Sequence, residues 1–209
     1  MSESPSVPSE LWERLRADPA RAPEHMALAA ADWHAPAAAA WVEAKRGRLS
    51  VSGPDLARMA KRRHASLARV GGAATGVGGF LTVVPDIVLL AWIQSRLVFF
   101  TAAAFGFDPR DPMRPAELLV LRDLYPDPET ARRALDGIGK TVAESYVTGK
   151  LERGREQAVM SRLLRFAGKR VATSATRRLI PGVAIAFNAI ANERETRELA
   201  DKAARFYGG

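Results

Sequence analysis

Four polar residues stand within apolar stretches of this chain and are its candidates for chemistry: Thr75, Asp86, Gln94 and Asn188. Asp86 is the single charge between Arg69 and Arg96, in the run VGGAATGVGGFLTVVPDIVLLAWIQS. A carboxylate in such surroundings serves one of two purposes. Directly after Pro85, at the start of a helix, it faces free backbone N–H groups and the positive end of the helix dipole. Set in a ligand pocket or a membrane-embedded relay, it is a functional group that needs a cation as partner. Arg96 is not that partner within one helix, because the interval between the two spans roughly 15 Å along the axis. Together with the amides of Gln94 and Asn188 and the hydroxyl of Thr75, Asp86 would give an apolar ligand site its few polar contacts.

Formal catalytic motifs fail on their context. Ala134 to Thr141, ALDGIGKT, satisfies the relaxed phosphate-loop pattern. That loop works when a buried strand feeds a glycine-rich turn at a helix start. Here the preceding residues, PETARRALD, are charged and helix-forming, so Lys140 reads as a solvated helix residue. The three histidines, His25, His34 and His64, have no HExxH spacing and no carboxylate at a ligand offset, so no metal is expected. His64 sits in a basic run and reads as a surface or interface residue. With no cysteine, a disulfide framework, a thiolate metal site and a cysteine nucleophile are all excluded. No GxSxG elbow is present. These motifs imply no cofactor and argue for no enzyme.

The elements that must position the four residues are helical. Prolines recur where a first helical position would be, at Pro23, Pro36, Pro54, Pro85 and Pro115. The pattern predicts helices near 9–17, 23–33, 36–47, 54–70, 85–105, 115–124, 128–150, 155–178 and 182–206. Only FLTVV has strand-like residues, and it lies inside the glycine-rich stretch. Gly72, Gly76 and Gly79 lie among alanines, at spacings that let two helix backbones approach closely; a mobile turn is the other reading. The expected fold is all-α: a compact bundle of about seven to nine helices with a central glycine-rich apolar helical hairpin. One domain over residues 9–209 follows from the length, with a disordered tail over 1–8.

Charge is distributed unevenly within a net +8. Arg58, Lys61, Arg62 and Arg63 crowd the segment before the first apolar run, and Arg162, Arg165 and Lys169 lie before the last, LIPGVAIAFNAIA. Basic helices leading into apolar elements suit an anionic membrane surface, although solvated charged faces are the plainer alternative. Nucleic acid is not expected, because no aromatic residues alternate with the basic ones. The N-terminus, MSESPSVPSELWERL, lacks the basic head and apolar core of a secretory signal, so the expected compartment is the cytoplasm.

The string ATGVGGFLTVVPDIVLLAWIQSRLVFFTAAAFGFDPRD resembles the signature of the EcsC protein family. A Thr-Gly-x-x-Gly segment, a proline-linked Asp, a helix with Gln and an aromatic-Gly-x-Asp turn follow in order, here as Thr75, Gly76, Gly79, Pro85, Asp86, Gln94, Phe105, Gly106 and Asp108. The closing LIPGVAIAFNAIANERETRELADKAARFY, with Asn188, is similar to the family's last helices. Phe105 stands where the family usually has tyrosine. The family is named after a protein encoded beside an ABC transporter. The resemblance therefore implies a bacterial, mostly helical accessory role and supplies no catalytic residue.

Two functions are expected on this basis. The first is a non-enzymatic protein that docks peripherally on the inner membrane surface, or inserts a helical hairpin there, and assists a transport or envelope process with a membrane transporter component as partner. The second is a soluble helical protein with a lipid or other apolar small molecule in a glycine-lined pocket. A hydrolase is a distant third, and the sequence does not fix the oligomeric state.

Overall fold

The computed structural model describes residues 6–47, 50–74, 83–137 and 181–209. Within the helices, the side chains of residues 71–74, 83–86 and 181–188 lie outside the description. Seven α-helices occur among the described residues: α1 (Ser9–Ala17), α2 (Ala22–Arg46), α3 (Gly53–Ala74), α4 (Val83–Ala104), α5 (Arg114–Leu121), α6 (Pro128–Asp136) and α7 (Pro181–Gly208). A 3-10 turn, Pro19–Arg21, links α1 to α2, and no described residue is in a strand. The all-α bundle expected from the sequence is the observed fold.

The apolar run becomes the axis of the bundle. A helix that is apolar on every side must be covered on every side, and α4 is surrounded by α2, α3, α5 and α7. Its stretch Ile87–Ala104 is long and apolar enough to cross a membrane, yet 94% of it is buried inside the protein. Alanines let the neighbours come close: Ala27, Ala30 and Ala38 on α2, Ala60 on α3 and Ala203 on α7 are fully buried. Larger side chains of α4, among them Leu97, Phe99 and Phe100, fill the space between them. The same core cluster takes in Leu11 and Leu15 of α1, Leu118 and Leu119 of α5, Leu135 of α6 and Tyr207 of α7.

Cross-helix contacts fix the directions. His34, Trp41 and Arg46 of α2 meet Trp92, Phe100 and the Ala104 carbonyl of α4 in that order, so α2 and α4 are parallel. Lys61 and Arg69 of α3 meet Asp201 and Glu193 of α7, so α3 and α7 are antiparallel. His64 against Phe100, with Ala68 against Leu90 and Ile93, makes α3 antiparallel to α4 as well.

Two helix ends close in the same way. Phe107 N–H donates to the Ala102 carbonyl and Gly106 N–H to that of Ala103, each at 3.1 Å, with Gly106 at φ 91. This is the paired-bond cap that needs a left-handed residue just past the helix. It explains the Phe105-Gly106-x-Asp108 turn: glycine stops α4, and Asp108 accepts from the Arg110 N–H at 2.9 Å to shape the next bend. At the end of α5, Asp123 takes the left-handed position at φ 57, with bonds from Asp123 to Val120 and from Leu124 to Leu119. Lys202 of α7 holds this corner, donating to the Leu121 carbonyl at 2.8 Å and to Asp123 at 2.6 Å.

Three boundaries differ from expectation. The separate helices expected at 23–33 and 36–47 are one helix, Ala22–Arg46, with Pro36 inside it. Proline removes one backbone bond, but alanines on both sides of it pack on α4 and hold the direction. Helix α3 runs on to Ala74 and so includes Gly72. Helix α4 begins at Val83, which makes Pro85 the third helical residue and Asp86 the fourth. The expected glycine-rich turn of the hairpin, with Thr75, Gly76 and Gly79, lies outside the described residues.

Candidate functional site

Successive residues of an α-helix point about 100° apart, so three consecutive polar residues cannot share one face. Gln94, Ser95 and Arg96 stand at the middle of α4 and are all buried. Each points in a different direction. The Ser95 hydroxyl folds back on the Ala91 carbonyl at 2.8 Å, as Thr101 does on that of Leu97. Gln94 faces α5 and α7, whereas Arg96 faces the histidines of α2 and α3.

Gln94 has no solvent exposure and uses both ends of its amide. Its Nε2 donates to Thr196 Oγ1 of α7 at 3.3 Å, and its Oε1 accepts from Arg122 Nη2 at 2.8 Å. The Thr196 hydroxyl in turn donates to the Asn192 carbonyl at 2.7 Å. Burial pushes the Arg122 guanidinium down to about 10, against the opposing pull of Glu195 and Asp123, so it remains a cation at neutral pH. A buried cation without such partners would cost several kcal/mol. Gln94 thus joins α4, α5 and α7 through one hydrogen-bonded network.

On the opposite side of α4 the polar groups are ringed by aromatics. His34 stacks on Trp92 with centroids 4.2 Å apart, and His64 meets the Phe100 ring edge-on at 5.2 Å. The Arg96 guanidinium lies 5.1 Å over the same Phe100 ring. His64 Nδ1 donates to the Ala60 carbonyl at 2.8 Å. Burial is the main cause that pushes both imidazoles down to about 3, with Arg96 adding to it, so both are neutral near pH 7. The expectation of a surface or interface position for His64 is corrected: it is fully buried.

A third polar cluster fastens the chain's last turn. Arg114 forms ion pairs with Glu117 and with Asp111. Its guanidinium lies 5.2 Å over Phe107 and 5.6 Å over Tyr207. Tyr207 donates to Glu117 at 2.8 Å. Burial raises the Glu117 carboxyl even against the Tyr207 and Arg114 contacts, and it raises the Tyr207 hydroxyl as well.

An open groove of about 490 Å³ runs between the C-terminal turns of α2 and α4. Its lining includes the apolar Ala39, Val42 and Ala103, with Glu43 and Arg46 as its charged residues. Gln94 does not line it. Asp86 and Asn188 lie in α4 and α7, with side chains outside the description, and Thr75 lies outside the described residues. The four sequence candidates are therefore not assembled into a described pocket.

The basic residues of α3 divide in two. Arg58 pairs with Asp55 within the helix, and Lys61 is held by both oxygens of Asp201 at 2.6 and 2.7 Å. Arg62 and Arg63 are exposed and form no ion pair with any described residue. Arg162, Arg165 and Lys169 lie outside the described residues. Among the described residues no group of three or more His, Asp or Glu side chains could hold a metal ion.

Fold and site together define a helical-bundle protein built around one sheathed apolar helix. The EcsC protein family model matches residues 23–208, and the chain belongs to that family. No curated protein and no solved structure matches it.

Proposed function

We propose that this chain is a non-enzymatic bacterial accessory protein that docks on an anionic membrane surface and assists a transport or envelope process. The observation that carries the docking is the outer side of α3, where Arg62 and Arg63 stand exposed and without acidic partners among the described residues. Each cation near an anionic surface contributes about 1 kcal/mol. The peripheral form is favoured over insertion by two features of α4: its apolar stretch is covered by protein, and Arg96 lies at its centre, where a bilayer would charge about 2.5–3.5 kcal/mol for an arginine. The transport or envelope role and a transporter partner follow from family membership alone.

Cosedimentation with vesicles containing anionic lipid tests the docking. Arg62→Gln with Arg63→Gln should weaken binding about thirtyfold, from about 1 kcal/mol for each charge. Lys61→Gln should change it little, since Asp201 already holds that ammonium. Equal binding by the double variant and the parent would defeat the proposal.

The groove between α2 and α4 favours a second reading, a soluble protein that takes a lipid or other apolar molecule. Val42→Trp would place a large ring among its lining residues. Under this reading it should abolish binding of a fluorescent fatty-acid probe while vesicle sedimentation stays intact.

A further inference from the structure

The contact of α2 and α3 with α4 includes two buried imidazoles. Phe100 of α4 is touched by Trp41 of α2 at 5.2 Å, by His64 of α3 at 5.2 Å and by Arg96 of its own helix at 5.1 Å. His34 of α2 packs on Trp92, two turns earlier on α4. His34 is 5% exposed and His64 is not exposed at all. Nε2 of each ring is buried with no hydrogen-bond partner. Because His64 Nδ1 is bonded to the Ala60 carbonyl, Nε2 is the atom left to receive a proton.

Among the described residues the charges acting on these rings are positive. Arg96 of α4 acts on both, Arg63 of α3 acts on His64, and each imidazole, once protonated, would repel the other. Among the described residues of α2, α3, α4 and α7, no carboxylate is among the groups acting on either ring. His25, the remaining histidine of α2, differs: Asp18 lies 3.3 Å from its Nε2 and offsets part of its burial.

We propose that His34 and His64 form an acid-sensitive clasp, whose protonation separates α2 and α3 from α4 and uncovers the apolar stretch Ile87–Ala104. An imidazolium in this buried layer meets no acid among the described residues, whereas in the opened chain it is stabilised by water. The closed form takes up these protons only near pH 3, the open form near 6.5. The closed form thus binds fewer protons between those limits. Its stability is complete above 6.5 and is lost as the pH falls toward 3. Each histidine shifts the balance toward the open form about tenfold per pH unit in that window, and the pair about a hundredfold. Asp55 and Asp127 have carboxyls held below their usual range, so their contribution to stability is lost only as the pH falls below about 5. The clasp does not depend on membrane docking and is tested without lipid.

Hydrogen exchange of the full chain between pH 7.5 and 4.5, corrected for the intrinsic pH dependence of exchange, reads the opening of α4. Protection there should fall about a hundredfold per unit below pH 6.5, and His34→Phe with His64→Phe should flatten the slope. The same slope in the double variant, or constant parent protection down to pH 4.5, would overturn the clasp. If the variant does not fold, proton NMR of the parent decides, because the chain has only 3 histidines. Two ring signals should stay neutral until the folded form disappears. Titration of either one near 6.5 in the folded protein would refute the proposal.

Discussion

The Arg122 guanidinium hydrogen-bonds the side-chain carbonyl of Gln94 at 2.8 Å, across three helices' worth of buried structure. Neither residue reaches solvent to any extent that matters, since Gln94 is 0% and Arg122 8% exposed. The glutamine that marks the family-like helix motif is thereby committed to holding α5 and α7 against α4.

Removing it takes a hydrogen bond from a buried cation. Gln94→Leu should destabilise the fold by about 2–3 kcal/mol, the cost of leaving a charged donor unsatisfied. Arg122→Met should cost a similar amount. The double variant should cost clearly less than the sum, because both ends of the bond are then gone. Urea unfolding of the four proteins measures the coupling; strict additivity would mean that the bond contributes nothing.

Gly106 tests the cap of α4. No atom lies within 4 Å of where its Cβ would be, so any penalty comes from the backbone alone. Gly106→Ala should cost about 1–2 kcal/mol through its positive φ, and Gly106→Asn less. An alanine variant with the parent's urea midpoint would remove the left-handed cap from this account.

Asp86 separates a structural carboxylate from a functional one. As the fourth residue of α4 it lies in the first turn, where a negative charge is worth about 0.3–1 kcal/mol. Asp86→Asn should lower thermal stability by no more than that and leave vesicle binding unchanged. A variant that melts like the parent but no longer performs the cellular role would establish Asp86 as a functional group.

Much of this architecture is written in hydrophobic period and proline position, which is why α1, α3, α4, α5 and α7 stand close to where the sequence puts them. Pro36 misleads because a proline after a polar stretch normally starts a helix. Only the packing of α2 along α4 shows that one missing bond is tolerated. His64 misleads through its neighbours: Arg62 and Arg63 are solvated, but His64 lies on the buried line of Leu56, Ala60 and Ala68, each four residues from the next. That spacing is visible in the sequence and is the signal that would have found it. The pairing of Lys61 with Asp201 has no such signal, because 140 residues separate the two. A sum of charge along α3 therefore overstates what is free to meet a partner. Nothing local marks Arg122, a single arginine at the end of a short apolar helix, as the cation that Gln94 holds.

Helices that alternate in direction cancel one another's peptide dipoles. Among the described helices α2, α4 and α7 run the same way, while α3 and the short α5 oppose them. Each of the three contributes about half a positive charge at its first turn, so the described helices do not fully cancel one another. The positive pole is the end from which α4 and α7 set out, and α3 arrives there. A negative charge placed near that end meets the positive side of these helix dipoles.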